Sequence, residues 1–237
     1  MTLVLFNNLT EKDKSDAIEN LITESTPRQD FFLMMVLSVL MATFGLLINN
    51  TAVIIGSMLI APILYPILSL SLGIVMADFK LISRSFYTLL KSMVFGIAAA
   101  AVIALFFSQD CEVSLVEPSL IYVMIAIVAG MAASFALIKP HLSETLPGIA
   151  ISVMLIPPLA STGIGIAKFD WNTISNSFVL FLINTIGIIF ASMVVFSLMH
   201  LYIRRMEARK AIKKEEKAVE REREKAEREK RRNSKLP

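Results

Sequence analysis

The chain has 237 residues, of which 55% are hydrophobic and 18% charged, with a mean hydropathy of +0.67. A soluble domain cannot hide that much apolar surface, so the composition points to an integral membrane protein and excludes a soluble globular one. One cysteine, Cys111, leaves no intrachain disulfide and no multi-cysteine metal site, and the formal charge of +3 conceals an asymmetry: residues 204–237 hold 15 Lys/Arg against 8 Asp/Glu.

Residues 1–30 read as a short cytoplasmic segment. Met-Thr-Leu-Val-Leu-Phe lacks the basic start and small-residue cleavage site of a signal peptide, so it reads as retained. Thr10 with Asp13 can cap a helix whose Ala17, Ile18, Leu21 and Ile22 share one face, which lies on the membrane or against the bundle; Pro27 ends it. Six apolar segments follow, at 31–48, 52–76, 87–107, 119–138, 147–167 and 178–200, each near the length that spans a bilayer. They form the transmembrane domain, 31–200. Only Asn49 to Thr51 joins the first two. Counted by alternate sides, Lys12, Lys14, Arg28, Lys80, Arg84, Lys139 and the tail share one side and Lys168 stands alone on the other. The positive-inside rule therefore places both termini in the cytoplasm, in the cell membrane, with Cys111 outside.

The second segment carries no charge from Asn49 to Val75, yet Pro62 and Pro66 fall near its middle. Each removes an amide donor and crowds the carbonyl one turn back. Backbone freed at membrane depth must face protein or a wet cavity, so such a break points to function. In the fifth segment, Met154-Leu155-Ile156-Pro157-Pro158 repeats Met58-Leu59-Ile60-Ala61-Pro62 in register. Two proline-interrupted segments at corresponding places predict an all-α fold of six spans, built as a 3+3 inverted repeat of 31–107 and 119–200 with helices 2 and 5 broken. Runs of small residues, Gly96 to Ala101 and Ala129 to Ser134, read as close helix packing. Residues 201–237 predict a charged cytoplasmic helix, solvated because Ala208, Ile212, Val219 and Ala226 are too sparse for a coiled-coil seam. Its basic start, Arg204, Arg205, Arg209 and Lys210, suits anionic lipid. Nothing reads bases, so nucleic acid is not expected.

Catalytic motifs are missing: there is no His-Glu-x-x-His, Gly-x-Ser-x-Gly, phosphate-binding glycine loop or paired carboxylate inside a span, so no enzyme, metal or cofactor is expected. Lys91 reads as snorkelling to the interface. Asn184, an amide inside the sixth span, needs polar partners, which unwound carbonyls near Pro157 would supply.

Asn50-Thr51-x-Val53-Ile54-Ile55-Gly56-Ser57-Met58-Leu59-Ile60-Ala61-Pro62, then Ile156-Pro157-Pro158-Leu159-Ala160-x-x-Gly163, then Leu182-x-Asn184, resembles the prokaryotic membrane family called domain of unknown function 389. The resemblance covers about residues 30–200 and supplies no substrate. It implies that the two proline motifs and Asn184 belong together. The expected substrate-binding set is Asn50, Gly56, Ser57, Pro62, Pro66, Pro157, Pro158, Gly163 and Asn184. The expected function is a transporter or channel for a small solute or ion, with the bilayer and a second copy of the chain as partners; the alternative is a structural or signalling membrane module.

Overall fold

The computed structural model describes residues 11–107, 118–139, 155–199, 201 and 205–233. Cys111, His141, Ser152 and His200 lie outside them. The described chain is helical throughout its length: α1 (Glu11–Glu24), α2 (Gln29–Leu47), α3 (Thr51–Ile60), α4 (Leu64–Val75), α5 (Phe79–Phe107), α6 (Leu120–Ile138), α7 (Ile156–Lys168), α8 (Trp171–Leu198) and α9 (Arg205–Asn233).

Three of the connections are one device used three times. At Gly45, Gly73 and Gly165 a helix enters its last turn, and four residues later the chain takes a left-handed residue, Asn49 (φ 50), Ala77 (φ 49) or Phe169 (φ 56). The next amide, of Asn50, Asp78 or Asp170, reaches back to the glycine carbonyl at 2.8, 3.0 and 3.0 Å, the six-to-one bond of a Schellman cap. That same Asn or Asp then caps the following helix, its side chain accepting from amides two or three residues on. The glycines are needed because the new helix folds back against them: a Cβ at Gly45 would stand 2.8 Å from Ile54, and at Gly73 or Gly165 3.0 Å from Ile82 or Ile174. The pattern Gly-x4-Asn/Asp-x3-Ile is legible in the sequence and fixes α2 against α3, α4 against α5 and α7 against α8 as antiparallel pairs.

Helices α4 and α7 are the interior of the bundle. In α4 the run Pro66 to Gly73 is buried. In α7 Ile156 and the run Pro158 to Gly165 are buried. A helix apolar all round and buried all round is enclosed by others; α7 packs on α5, α8 and α2, and α4 on α5 and α8. The small-residue runs do what was expected of them: Gly96 faces Leu159, Gly163 faces Ala100, Gly130 faces Ile188 and Gly187 faces Ala126. Large apolar residues on the other faces, among them Leu105, Met124, Val128, Ile186 and Phe190, are exposed and form the lipid-facing surface.

The expected six spans and their 3+3 inverted repeat do not hold. Among the described residues four helices, α2, α5, α6 and α8, are long and apolar enough to cross a membrane, and α3 with α4, bent by 49°, makes five at most. The correction lies in the fifth segment. Its described helix, α7, has 13 residues with proline in its first turn, so the prolines begin a short helix where the sequence reading had them interrupt a long one. The first turn is where proline is tolerated, since its missing N–H would have had no partner there. Residues 147–154 of that segment lie outside the described residues.

The amphipathic face of α1 settles on protein. Ala17, Ile18, Leu21 and Ile22 are all buried, and with Leu72 of α4, Ile138 of α6 and Phe196 of α8 they belong to the core. Helix α9 turns back onto this end. Its Ala208 and Ile212 are fully buried, and it is tied down by Arg209 to Asp78 (2.8 Å), Arg28 to Glu215 (2.6 Å), Lys80 to Glu216 (2.7 Å) and Lys214 to Glu19. The tail is therefore docked where the sequence reading had it solvated. Its sparse apolar positions serve a short seam with α1.

Candidate functional site

The break between α3 and α4 falls at Ala61-Pro62-Ile63. Ala61 is extended (φ −72, ψ 120), which ends α3. Pro62 supplies no amide to the helix behind it. One carbonyl of the last turn of α3 is used: Ser38 of α2 donates to the Ser57 carbonyl at 2.6 Å, while the Ser57 hydroxyl donates to the Ile54 carbonyl at 2.6 Å. The break thus sets the carbonyl end of α3, which carries partial negative charge, beside the amide end of α4, which carries partial positive charge. Neither α4 nor α7 has a side-chain cap at its start. Pro66 occupies the first turn of α4 and Pro157 with Pro158 the first turn of α7, so few amides remain to be satisfied there.

Side-chain pairs fix the depth of these ends. Ser69 of α4 lies opposite Ser85 of α5, the hydroxyls 2.9 Å apart, and the antiparallel register carries Leu64 to the level of Leu90. Helix α7 runs parallel to α5, with Leu159 at Gly96 and Gly163 at Ala100, which carries Ile156 to the level of Met93. Both starts therefore lie about half-way along α5. Counted back from the Gly165–Ile174 corner, Leu155 stands level with Asn184, the middle of α8. Asn184 and Thr185 are 2% and 5% exposed, and the Thr185 hydroxyl has no hydrogen-bond partner. A buried hydroxyl without a partner is costly, by about 1–3 kcal/mol, and suits a place where water or a bound group completes it.

Of the expected site residues, Pro62, Pro66, Pro157, Pro158 and Asn184 collect at this level, and Ser57 lies one turn away in α3. The others have structural surroundings. Asn50 caps α3 at the far end, Gly56 faces Met41 of α2, and Gly163 lets α7 touch the backbone of α5. Thr185 and Ser38 were missed, because a lone Thr or Ser in a span ordinarily back-bonds to its own helix; Thr185 was marked only by its neighbour Asn184. Lys91, also half-way along α5, holds its ammonium over the rings of Phe32 (4.5 Å), Phe95 (5.5 Å) and Tyr87 (5.9 Å), a cation–π nest on the outer surface. Among the described residues no three His, Cys, Asp or Glu gather as a metal site.

A cavity of about 300 Å³ leads to the break. Ile60, Pro62, Met34 and Phe31 line it together with Thr23, Glu24, Thr26, Arg28 and Asp30, at the elbow between α1 and α2.

A family model described as domain of unknown function (DUF389) matches residues 58–190, a stretch that begins just before Pro62 and ends just beyond Asn184. The chain belongs to the DUF389 family. An uncharacterised protein of Methanocaldococcus jannaschii is 30% identical over 206 residues, covering 80% of this chain and 63% of that protein; the DUF389 chain described here thus spans less than two thirds of that relative's length. No solved structure matches. The protein is a multi-span α-helical membrane protein of this family, and the matched stretch holds both proline motifs and Asn184.

Proposed function

We propose that this protein is a membrane transporter or channel for a small solute or ion, and that its site lies where the α3–α4 break meets the start of α7. The observation that carries the reading is the coincidence of depth. Two uncapped helix starts, a helix end and the buried Asn184–Thr185 pair share the level half-way along α5, with a cavity reaching Pro62 from one end of the bundle. Irregular backbone at membrane depth is tolerated where it faces protein or a water-filled path, and mixed amide and carbonyl ends can replace the hydration of a small solute. The Lys/Arg residues gathered at that end, Arg28, Lys80, Arg84 and those of α9, against Lys168 at the other, support a cytoplasmic position for it. A second reading, a structural or signalling module, is favoured by the docking of α9 on α1. The two separate on one point, since only a transporter must bind its solute and gain thermal stability from it.

Pro62→Ala is the variant that tests the site. Proline would cost about 3 kcal/mol inside a continuous helix, and alanine at 62 lifts that bar, so the variant should fold with an unchanged or higher thermal midpoint and let α3 run on towards α4, straightening the break. Any solute found to stabilise the wild-type protein in a screen of ions and metabolites should no longer do so. Pro158→Ala, in the first turn of α7, should alter stability little. A folded Pro62→Ala protein with the full solute response would remove the break from the site.

A further inference from the structure

Arg28 lines the cavity and Arg84 stands beside it, bonded to the cavity's Thr26, and both have donors that are incompletely used. Arg28 donates through Nη2 to Glu215 at 2.6 Å, but its Nε is buried with no partner. Arg84 donates through Nη2 to the Thr26 hydroxyl at 2.6 Å, and its Nη1 is likewise buried and unpartnered. Thr26 has spent its own proton on the Ile22 carbonyl at 2.7 Å, so it accepts from Arg84 and offers nothing more. The two guanidinium groups act on each other as like charges, and Glu215 and Glu216 are the opposite charges felt by Arg84. Arginine does not give up its proton in such a place. Two cations with spare, desolvated N–H groups call for an acceptor with several oxygens and a negative charge. Glu24 and Asp30, at the rim of the same cavity, are exposed, and Asp30 accepts from the Phe31 amide; they leave the inner donors unmet.

Part of the demand is met from the tail. Glu215, 7% exposed, lays its carboxylate between Arg28 and the Thr23 hydroxyl, which donates to it at 3.2 Å. It comes from α9, the element that is fixed at this end by ion pairs. We propose that Arg28 and Arg84 form a binding site for a phosphate-like oxyanion at the α1–α2 elbow, and that Glu215 is a tethered competitor that occupies it in part. Tetrahedral oxyanion oxygens would reach both Arg28 Nε and Arg84 Nη1, which one carboxylate pinned to Nη2 leaves unmet. Binding of the anion and docking of α9 at Glu215 then oppose each other, as linkage requires of two ligands for one site. The oxyanion has two sources, free inorganic phosphate or the phosphate of an anionic lipid headgroup.

The test uses the full chain in phosphatidylcholine nanodiscs, with equilibrium binding of radiolabelled inorganic phosphate at constant ionic strength. Glu215→Gln should bind phosphate about tenfold tighter than wild type. Arg84→Lys in that background, which keeps the charge and loses the planar fork, should reverse the gain; Arg28→Lys gives the same readout should Arg84→Lys fail to fold. In wild type, saturating phosphate should raise amide hydrogen exchange in residues 208–216 as α9 loosens. If the source is lipid, Glu215→Gln will show no gain with free phosphate but will retain phosphatidylglycerol over phosphatidylcholine in native mass spectra, again reversed by the lysine variant. No gain over wild type for either phosphate source overturns the proposal, as does a gain that a folded Arg84→Lys or Arg28→Lys variant leaves intact.

Discussion

Gly163→Ala is expected to destabilise the protein by at least ~3 kcal/mol or to prevent its folding, the largest effect of any single methyl group in the described chain. A Cβ at Gly163 would sit 2.4 Å from the Ala100 Cβ, 2.7 Å from the Ile97 carbonyl and 2.9 Å from the Ala101 amide nitrogen. Two of these neighbours are backbone of α5 and cannot rotate away. Helix α7, buried on every side, has no free direction in which to retreat. Ala100→Gly alone should cost only about 1 kcal/mol as a helix-interior glycine. Combined with Gly163→Ala it should restore part of the loss, because it removes the nearest clash and leaves the two backbone ones. Thermal midpoints of the four proteins in detergent measure the coupling. Strict additivity would mean that α7 and α5 do not cross where the structure places them. Gly163 was expected at a binding site, and this result would assign it to packing.

Deletion of residues 205–237 should lower stability on the order of 3 kcal/mol, whereas deletion of 220–237 should change it by less than about 0.5 kcal/mol. The difference is local. Ile212 and Ala208 bury their side chains against the elbow end of the bundle, and Arg209 answers Asp78, whose side chain is 1% exposed. Without Arg209 that carboxylate stays buried and loses its ion pair, while the Lys80 and Leu81 amides still donate to it. Among the described residues the last ion pair from α9 to the bundle is that of Glu216. A deletion from 215, which a solvated tail would make neutral, removes both Glu215 and Glu216 and should fall between the other two. Acid should mimic part of the longer deletion. Burial raises the Asp78 carboxyl, but Arg209 and the two amides outweigh it and hold it below the usual carboxylate range. A depressed folded pKa stabilises fully above about pH 4 and is lost as pH falls through the folded value. The wild-type midpoint should therefore decline more on acidification than that of Asp78→Asn, measured side by side.

Much of this architecture can be read from residue types. Apolar length gives α2, α5, α6 and α8 directly, and Pro62 marks the bend of α3 against α4. The Ala17-Ile18-Leu21-Ile22 face is a helix stripe whichever surface it meets. The prolines at 157 and 158 misled because local chemistry is the same for a helix start and a helix break; only the neighbours of α7 tell them apart. Gly163 and Asn50 looked functional for a similar reason. A glycine that admits a ligand and one that admits a helix backbone have the same sequence signature, and Asn50 caps as readily as it coordinates. The docking of α9 was hidden for another reason: the three apolar side chains Ala208, Ala211 and Ile212 suffice when ion pairs from Arg28, Lys80 and Asp78 close the seam, and those partners lie well over a hundred residues away. Thr185 could be suspected only from standing next to Asn184. Lack of a partner is a tertiary property.

The central claim, that the α3–α4 break opens to water, is tested most directly by thiol accessibility at two adjacent positions. Ile60 lines the cavity that reaches Pro62, while Leu59, at nearly the same depth, is 52% exposed on the lipid-facing surface. In a Cys111→Ser background, single cysteines at 59 and 60 should be compared for their rate of reaction with a small, charged methanethiosulfonate in membranes. A wet break predicts that Ile60→Cys reacts at least about tenfold faster than Leu59→Cys, because the reagent enters through water and is excluded from hydrocarbon. Equal, slow rates at both positions would make the break a dry kink and contradict a transport site there.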